Sequence, residues 1–268
     1  MKNKIRKPTI SKNFGRGLAL LLAALFISSP AFSAQNQLWA GIKFLPKFMW
    51  RSAKQVARPK NLAILGATAL ASYAVSQYND PIAAGAKRMD PHQSFTGFGR
   101  DYYGAAMNMG LPQMGTYAVG QGFHKGSLAG TGYALTSSFL LERMVVGGLQ
   151  FATHDGRPDP TVQGNPTGGT FPSGHSTSGA AFAGVIQARH GYVAATPFYA
   201  AALYTGWSRI ADGAHRPHEV IAGLGIGYVI GLASGEAWNE VESDSLSVSI
   251  VPQINPGKEY GLAFQIKF

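Results

Sequence analysis

Phe171-Pro172-Ser173-Gly174-His175-Ser176-Thr177-Ser178-Gly179 decides how the rest of the chain is read. This polar, glycine-punctuated turn runs straight into the uncharged stretch 180–187. Ser173 suits a helix N-cap, with Ser176 and Thr177 as further candidates, and the free N–H groups of a first helical turn form a ready anion site. His175 stands beside those donors, where an imidazole can hand a proton to an oxygen leaving the bound anion. Taken alone, Pro-Ser-Gly-His reads more simply as a cap, so its flanks carry the decision.

Upstream lies Gln150-Phe151-Ala152-Thr153-His154-Asp155-Gly156-Arg157-Pro158, and downstream Ser208-Arg209-Ile210-Ala211-Asp212-Gly213-Ala214-His215-Arg216-Pro217-His218-Glu219. In this order and at these separations, the three blocks resemble the tripartite signature of the type 2 phosphatidic acid phosphatase (PAP2) superfamily, which also includes bacterial acid phosphatases and vanadium haloperoxidases. The family pattern is an Arg-Pro block opened by a Lys, then Pro-Ser-Gly-His, then Ser-Arg, five residues, His, three residues, Asp. The resemblance is close over residues 150–219 and loose over the apolar segments around them.

Phosphoryl transfer asks for fixed positive donors on the non-bridging oxygens, an in-line nucleophile and an acid for the leaving group. Carried over residue by residue, the resemblance implies that Arg157, Ser173, Gly174 and Arg209 bind phosphate, that His215 is the nucleophile and that His175 is the general acid. Guanidinium forks grip phosphate oxygens in a way Lys cannot imitate. Glu219, four residues after His215, shares its helical face and can hold the far nitrogen of the imidazole. Two positions depart from the pattern. The opening Lys falls on Gln150, an uncharged donor that weakens one phosphate contact. The closing Asp falls on Glu219, one methylene longer, which keeps the charge and shifts the orientation of His215.

Other residues in these blocks have plainer readings. His218 lacks the five-residue spacing from Arg209 and reads as a helix-start residue after Pro217. His154 and Asp155 read as loop or rim, and Asp212 and Arg216 as partners of the third block. His92, His124 and His190 have no companions at metal-ligand spacing, so neither a metal nor a cofactor is expected.

The chain of 268 residues is 46% hydrophobic and only 13% charged, which points towards a membrane or its surface. Its net charge of +10 suggests a polyanion partner until the charges are located. Lys2, Lys4, Arg6, Lys7, Lys12 and Arg16 sit in a leader without acids; Lys43, Lys47, Arg51, Lys54, Arg58 and Lys60 form a second cluster, and the remainder is slightly acidic. Nucleic-acid binding is therefore disfavoured. Zero cysteines exclude disulfides and thiol chemistry.

In chain order, a basic start, an apolar core over 17–27 and Ala31-Phe32-Ser33 read as a signal peptide with a cut after Ser33, the alternative being an uncleaved anchor. Leu38, Ile42, Leu45, Met49, Ala53 and Val56 then fall at helical spacing opposite the second basic cluster. With Trp39, Phe44, Phe48 and Trp50, that helix suits a headgroup interface, the alternative being an ordinary surface helix of the domain, and Pro46 places its start there, at N1. Six apolar segments follow, 61–78, 105–121, 127–141, 180–187, 194–207 and 220–233, each at or below the roughly 20 residues that cross a bilayer. Small residues interrupt all of them, and close packing through Gly and Ala explains this in membrane or in water. After Trp238, period-two alternation on both sides of Asn255-Pro256-Gly257-Lys258 predicts a β-hairpin that must lie against something or self-associate.

The expected architecture is all-α: a signal peptide over 1–33, a basic amphipathic segment over 34–60, a PAP2-type bundle of about six helices over 61–238 and a short C-terminal β-hairpin over 239–268. The expected function is hydrolysis of a phosphomonoester or diphosphate without metal, through a phosphohistidine. A lipid phosphate is the favoured substrate: phosphatidic acid, an isoprenyl diphosphate or a lipid A-like molecule. The protein is expected to be exported to the periplasm of a bacterial envelope and to associate with a membrane. The alternatives are a broad-specificity periplasmic acid phosphatase and a non-catalytic envelope protein that binds phospholipid.

Overall fold

The structure is a computed structural model that describes residues 31–90, 96, 97, 99, 105–108, 110–122, 126–162, 169–245, 247–255 and 259–267. Residues 1–30, and with them most of the expected leader, lie outside this set, as do His92 and His124. The chain divides into two compact units, Met1–Pro46 and Lys47–Phe268. The described part of the first unit is helical throughout. All three sequence blocks fall in the second.

The described chain is mostly helical. The helices are α1 (Ala31–Val56), α2 (Pro59–Ser76), α3 (Asn79–Met89), α4 (Ala105–Asn108), α5 (Leu111–Gly122), α6 (Gly126–Thr153), α7 (Gly174–Ala211) and α8 (Pro217–Ser245). Two expectations for the first of these are corrected. α1 does not begin at Pro46 but runs through it. A proline interrupts a helix at one donor and one clash, and the Leu-, Lys-, Met- and Ala-containing sequence on both sides favours helix enough to continue. Phe48, expected at a headgroup interface, is fully buried, with its ring edge-on to Tyr133 at 5.5 Å and to Trp238 at 5.4 Å. Trp50 does stay exposed, under the Lys54 ammonium.

The segment expected over 105–121 divides at Gly110, whose φ of 72° separates α4 from α5. The segments over 180–187 and 194–207 are the two arms of α7, broken at Gly191 with φ 86° and ψ 172°. Residues 176 and 206 of a straight helix would be about 45 Å apart at 1.5 Å per residue. Here a Cβ on Gly206 would stand 3.5 Å from Ser176 Oγ, and the rings of Phe182 and Phe198 meet at 5.0 Å. The second arm therefore folds back along the first, and the end of α7 returns to its own start.

α8 closes this hairpin of helices through a row of glycines four residues apart. A Cβ on Gly223, Gly227 or Gly231 would meet the carbonyl oxygens of Ser173, Thr177 and Ala181 at 2.6, 2.1 and 2.0 Å, and one on Gly235 would meet Ala188 at 2.5 Å. Such distances leave no room for a side chain, so the two backbones touch at Gly223, Gly227 and Gly231, one contact per turn. That contact ties the start of α8, with the third block, to the start of α7, with the second. Among the described residues one helical stretch, Pro217–Ser243, is long and apolar enough to cross a membrane, and 67% of its most apolar window is buried inside the bundle.

Beyond α8 the backbone runs as β1 (Ser247–Asn255) and β2 (Glu259–Lys267), antiparallel with Ser247 opposite Lys267. The side chains of this appendage lie outside the described residues, so its expected packing partner stays an expectation.

Candidate active site

Three chain segments deliver the site to one end of the bundle. α6 ends at Thr153, where His154 takes a left-handed φ of 53° and turns the chain into the loop that carries Arg157. The first arm of α7 starts at Gly174. The second arm ends at Ala211, and residues 212–216 pass directly into α8.

Ser173 occupies the N-cap position of α7, yet its side chain makes no capping hydrogen bond. Its Oγ accepts from Ser176 Oγ at 3.0 Å, and its N–H donates to the Glu219 carbonyl at 3.0 Å. The expected serine cap is thus replaced by a serine–serine bond, which leaves the first-turn N–H groups without a side-chain acceptor among the described residues. A helix start in that state, next to cations, is suited to an anion.

His215 and Glu219 form the most buried pair of the site. His215 Nδ1 lies 2.9 Å from Glu219 Oε2, with the two side chains 4% and 0% exposed. Glu219 Oε2 also accepts the Arg216 N–H, while its Oε1 accepts Thr170 Oγ1 and Arg216 Nη1, each at 3.0 Å. Burial pushes the Glu219 carboxyl up, but the bonds from His215 and Arg216 outweigh it and hold the group below its ordinary value. An ionised Glu219 fixes the proton of His215 on Nδ1 and leaves Nε2 with its lone pair. Burial lowers the pKa of His215, opposed by Glu219 and reinforced by Arg209 and Arg157, so the ring is neutral. A neutral imidazole of this tautomer is a competent nucleophile.

Arg209 is 5% exposed, and its Nη1 meets Asp212 Oδ2 at 3.0 Å. Its carbonyl receives the N–H groups of Ala214 and His215, which locks the 212–216 turn. Arg157 donates from Nη1 to the Ala214 carbonyl at 3.0 Å, and its Nε is buried with no hydrogen-bond partner. Burial lowers its pKa, against the nearby carboxylates of Asp212 and Glu219. His175 has its pKa lowered to about 3, by burial first and then by Arg209, His215, Arg143 and Arg157. The structure thus brings His175, His215, Arg157 and Arg209 within electrostatic reach of one another, with Glu219 on His215 and Ser173 tied to the Glu219 carbonyl.

Gln150 is placed differently from its expected role. It is buried, and its Nε2 donates to the Pro172 carbonyl at 3.0 Å, so the amide expected at the phosphate braces the loop that carries Ser173. His218 starts α8 as expected, with Nδ1 close to the Asn79 amide and its ring stacked on Phe171 at 6.0 Å. Asp155 lends its carbonyl to Thr170, and Arg216 reaches the Gly156 carbonyl. His190 lies 2.9 Å from Thr131, and among the described residues no group of three His, Asp or Glu is arranged to hold a metal.

Two participants were not anticipated. Thr170 gives no sequence signal. Arg143 does: it stands seven residues before Gln150, on the same face of α6, and its guanidinium reaches the Gly174 carbonyl at 3.2 Å.

A helical bundle that gathers two imidazoles, a buried carboxylate and several guanidiniums at a helix start has the parts of a phosphoryl-transfer site. Residues 132–240 match the family model of the PAP2 superfamily, a match that spans all three blocks and supports a phosphatase-family function in general. No curated protein and no solved structure matches the chain significantly.

Proposed function

We propose that this protein hydrolyses the phosphate of an amphiphilic molecule through a phosphohistidine on His215. The observation that carries the reading is the buried His215–Glu219 pair, with its reactive nitrogen free and His175 and two family arginines close by. His215 Nε2 forms a bond to phosphorus as the ester P–O bond breaks, and the departing alcohol oxygen takes its proton from His175, whose protonated form the negative charge of the bound phosphate favours against burial and the guanidiniums. Water then forms a P–O bond as the P–N bond breaks, and its proton passes to His175. The products are an alcohol and inorganic phosphate, with both histidines restored. Arg157, Arg209 and the α7 N–H groups stabilise the equatorial oxygens in both steps.

An apolar groove favours a lipid over a small soluble ester. It has a volume of about 360 Å³ between α2 and α8, walled by Leu65, Ala69, Tyr73, Phe171 and Ile226. Phe171 is two residues from Ser173, and His218, stacked on it, lies between His215 and Glu219 in the chain. The serine and threonine hydroxyls on its wall are already bonded: Thr68 to the Ile64 carbonyl, Ser72 to that of His218 and Ser76 to that of Tyr73. A surface with few spare donors suits hydrocarbon. The outer side of α2 has the same character, with Leu62, Leu70 and Tyr73 exposed while Asn61 and Ser72 are buried, the inverse of a water-facing helix. These features, together with the basic leader, support export and membrane association. A broad-specificity phosphatase working in water is the second reading, favoured by the largely buried position of α8.

The test is phosphate release, with and without detergent, from phosphatidic acid, an isoprenyl diphosphate and a small aryl phosphate. EDTA-resistant release that vanishes in His215→Ala and prefers the lipids is the expected result. Preference for the aryl phosphate would select the second reading. A folded protein that binds phosphate and releases none from any substrate would select a binding protein.

A further inference from the structure

The first block lacks its cation at position 150, yet α6 carries another two turns back. Arg143 engages four of its five N–H donors with named partners. Nε donates to Glu142 Oε1 at 3.0 Å, Nη1 to Asn108 Oδ1 at 2.7 Å, and Nη2 to Ser178 Oγ at 3.0 Å and to the Gly174 carbonyl at 3.2 Å. Gln150 and Arg143 thus grip the same turn, one at Pro172 and the other at Gly174, from one face of one helix.

The charge of Arg143 is only partly countered. Its ion-pair partner Glu142 is fully buried, with Oε2 lacking any hydrogen-bond partner, and burial pushes the Glu142 carboxyl up despite the nearby guanidinium and Ser178. The Arg143 side chain itself is 30% exposed, so its field is not sealed inside the bundle. His175, the next residue after Gly174, feels that field together with those of Arg157 and Arg209. No hydrogen bond holds the His175 ring among the described residues, so its placement depends on the turn that Arg143 fixes.

We infer that Arg143 stands in for the missing cation of the first block: it is a positioning residue that clamps the Ser173–His175 turn and supplies a third guanidinium charge to the phosphate pocket. The inference rests on the phosphate-site reading above. It differs from a purely structural role in one respect, because a structural brace is not replaceable by a charge placed elsewhere.

The test measures binding of inorganic phosphate by calorimetry to the full chain in four forms: native, Arg143→Met, Gln150→Lys, and the double variant Arg143→Met/Gln150→Lys. Loss of a charge-assisted donor is expected to weaken phosphate binding about tenfold in Arg143→Met. Gln150→Lys in that background is expected to restore most of the loss. Should removal of Arg143 alone unfold the protein by stranding Glu142, Glu142→Gln/Arg143→Met removes both members of the pair and carries the same comparison. Equal phosphate affinity in native and Arg143→Met proteins would overturn the inference, as would a folded variant that Gln150→Lys fails to rescue. A native protein that binds no phosphate at all would instead sink the phosphate-site reading, and this inference with it.

Discussion

The third block holds itself together and the first does not. Within residues 208–219, Arg209 pairs with Asp212, His215 with Glu219 and Arg216 with Glu219, all three or four residues apart. Arg209, Asp212, His215 and Glu219 are all buried. Among the described residues the first block shows no ion pair of its own: Gln150 is bonded across 22 residues to Pro172, and Arg157 across 57 to Ala214. A motif whose partners lie within one helical turn is complete as soon as the turn forms. A motif whose partners arrive from elsewhere depends on the bundle, and its charge can be supplied by a different residue of the same helix.

If this contrast is right, damage to the third block is the most severe. His215→Ala is expected to lower turnover by about four orders of magnitude or more while the thermal transition stays cooperative, since it removes the nucleophile; an active His215→Ala protein would place the chemistry elsewhere. Glu219→Gln comes next. It breaks the tautomer control of His215 and is expected to cost about 10³-fold in kcat with a smaller change in KM. A loss confined to KM would show that Glu219 serves binding instead.

His175 tests the field that both blocks share. Its pKa is depressed in the folded protein from 6.5 to about 3, so the unfolded chain binds the extra proton as the medium becomes acidic. The stability it contributes is complete above about pH 6.5 and is lost as pH falls through that value towards 3. Thermal melts of native and His175→Asn proteins at pH 7.5 and 5.0 should show the native protein losing more stability on acidification; parallel losses would mean that burial and the cations together do not depress this ring. The smallest effect belongs to the first block. Gln150→Lys alone should tighten phosphate binding only a few-fold, because Arg143 already provides charge there, and a large gain would mean that Arg143 contributes little.

Much of the site was legible beforehand because its parts are local. The four-residue step from His215 to Glu219 put both on one helical face, and the 2.9 Å pair follows from it. The misreadings have equally physical causes. Ser173 has the residue type of a cap, but Ser176 bonds its Oγ first. Gln150 stands where a phosphate contact was expected, but the Pro172 carbonyl takes its amide. Phe48 sits on a basic, aromatic helix that reads as interfacial, and the partners that bury it, Tyr133 and Trp238, lie far along the chain.

By itself, the amino-acid sequence determined the helical class, the three blocks, the His215–Glu219 pair proposed as nucleophile and carboxylate, and the glycines that permit close packing, because each depends on residue type and short spacing. Only the tertiary structure decided that α7 reverses at Gly191, that Gly223, Gly227 and Gly231 seat α8 on the α7 backbone, and that Arg143 meets the Gly174 carbonyl. Those outcomes join residues tens of positions apart, and the packing of whole helices sets such distances.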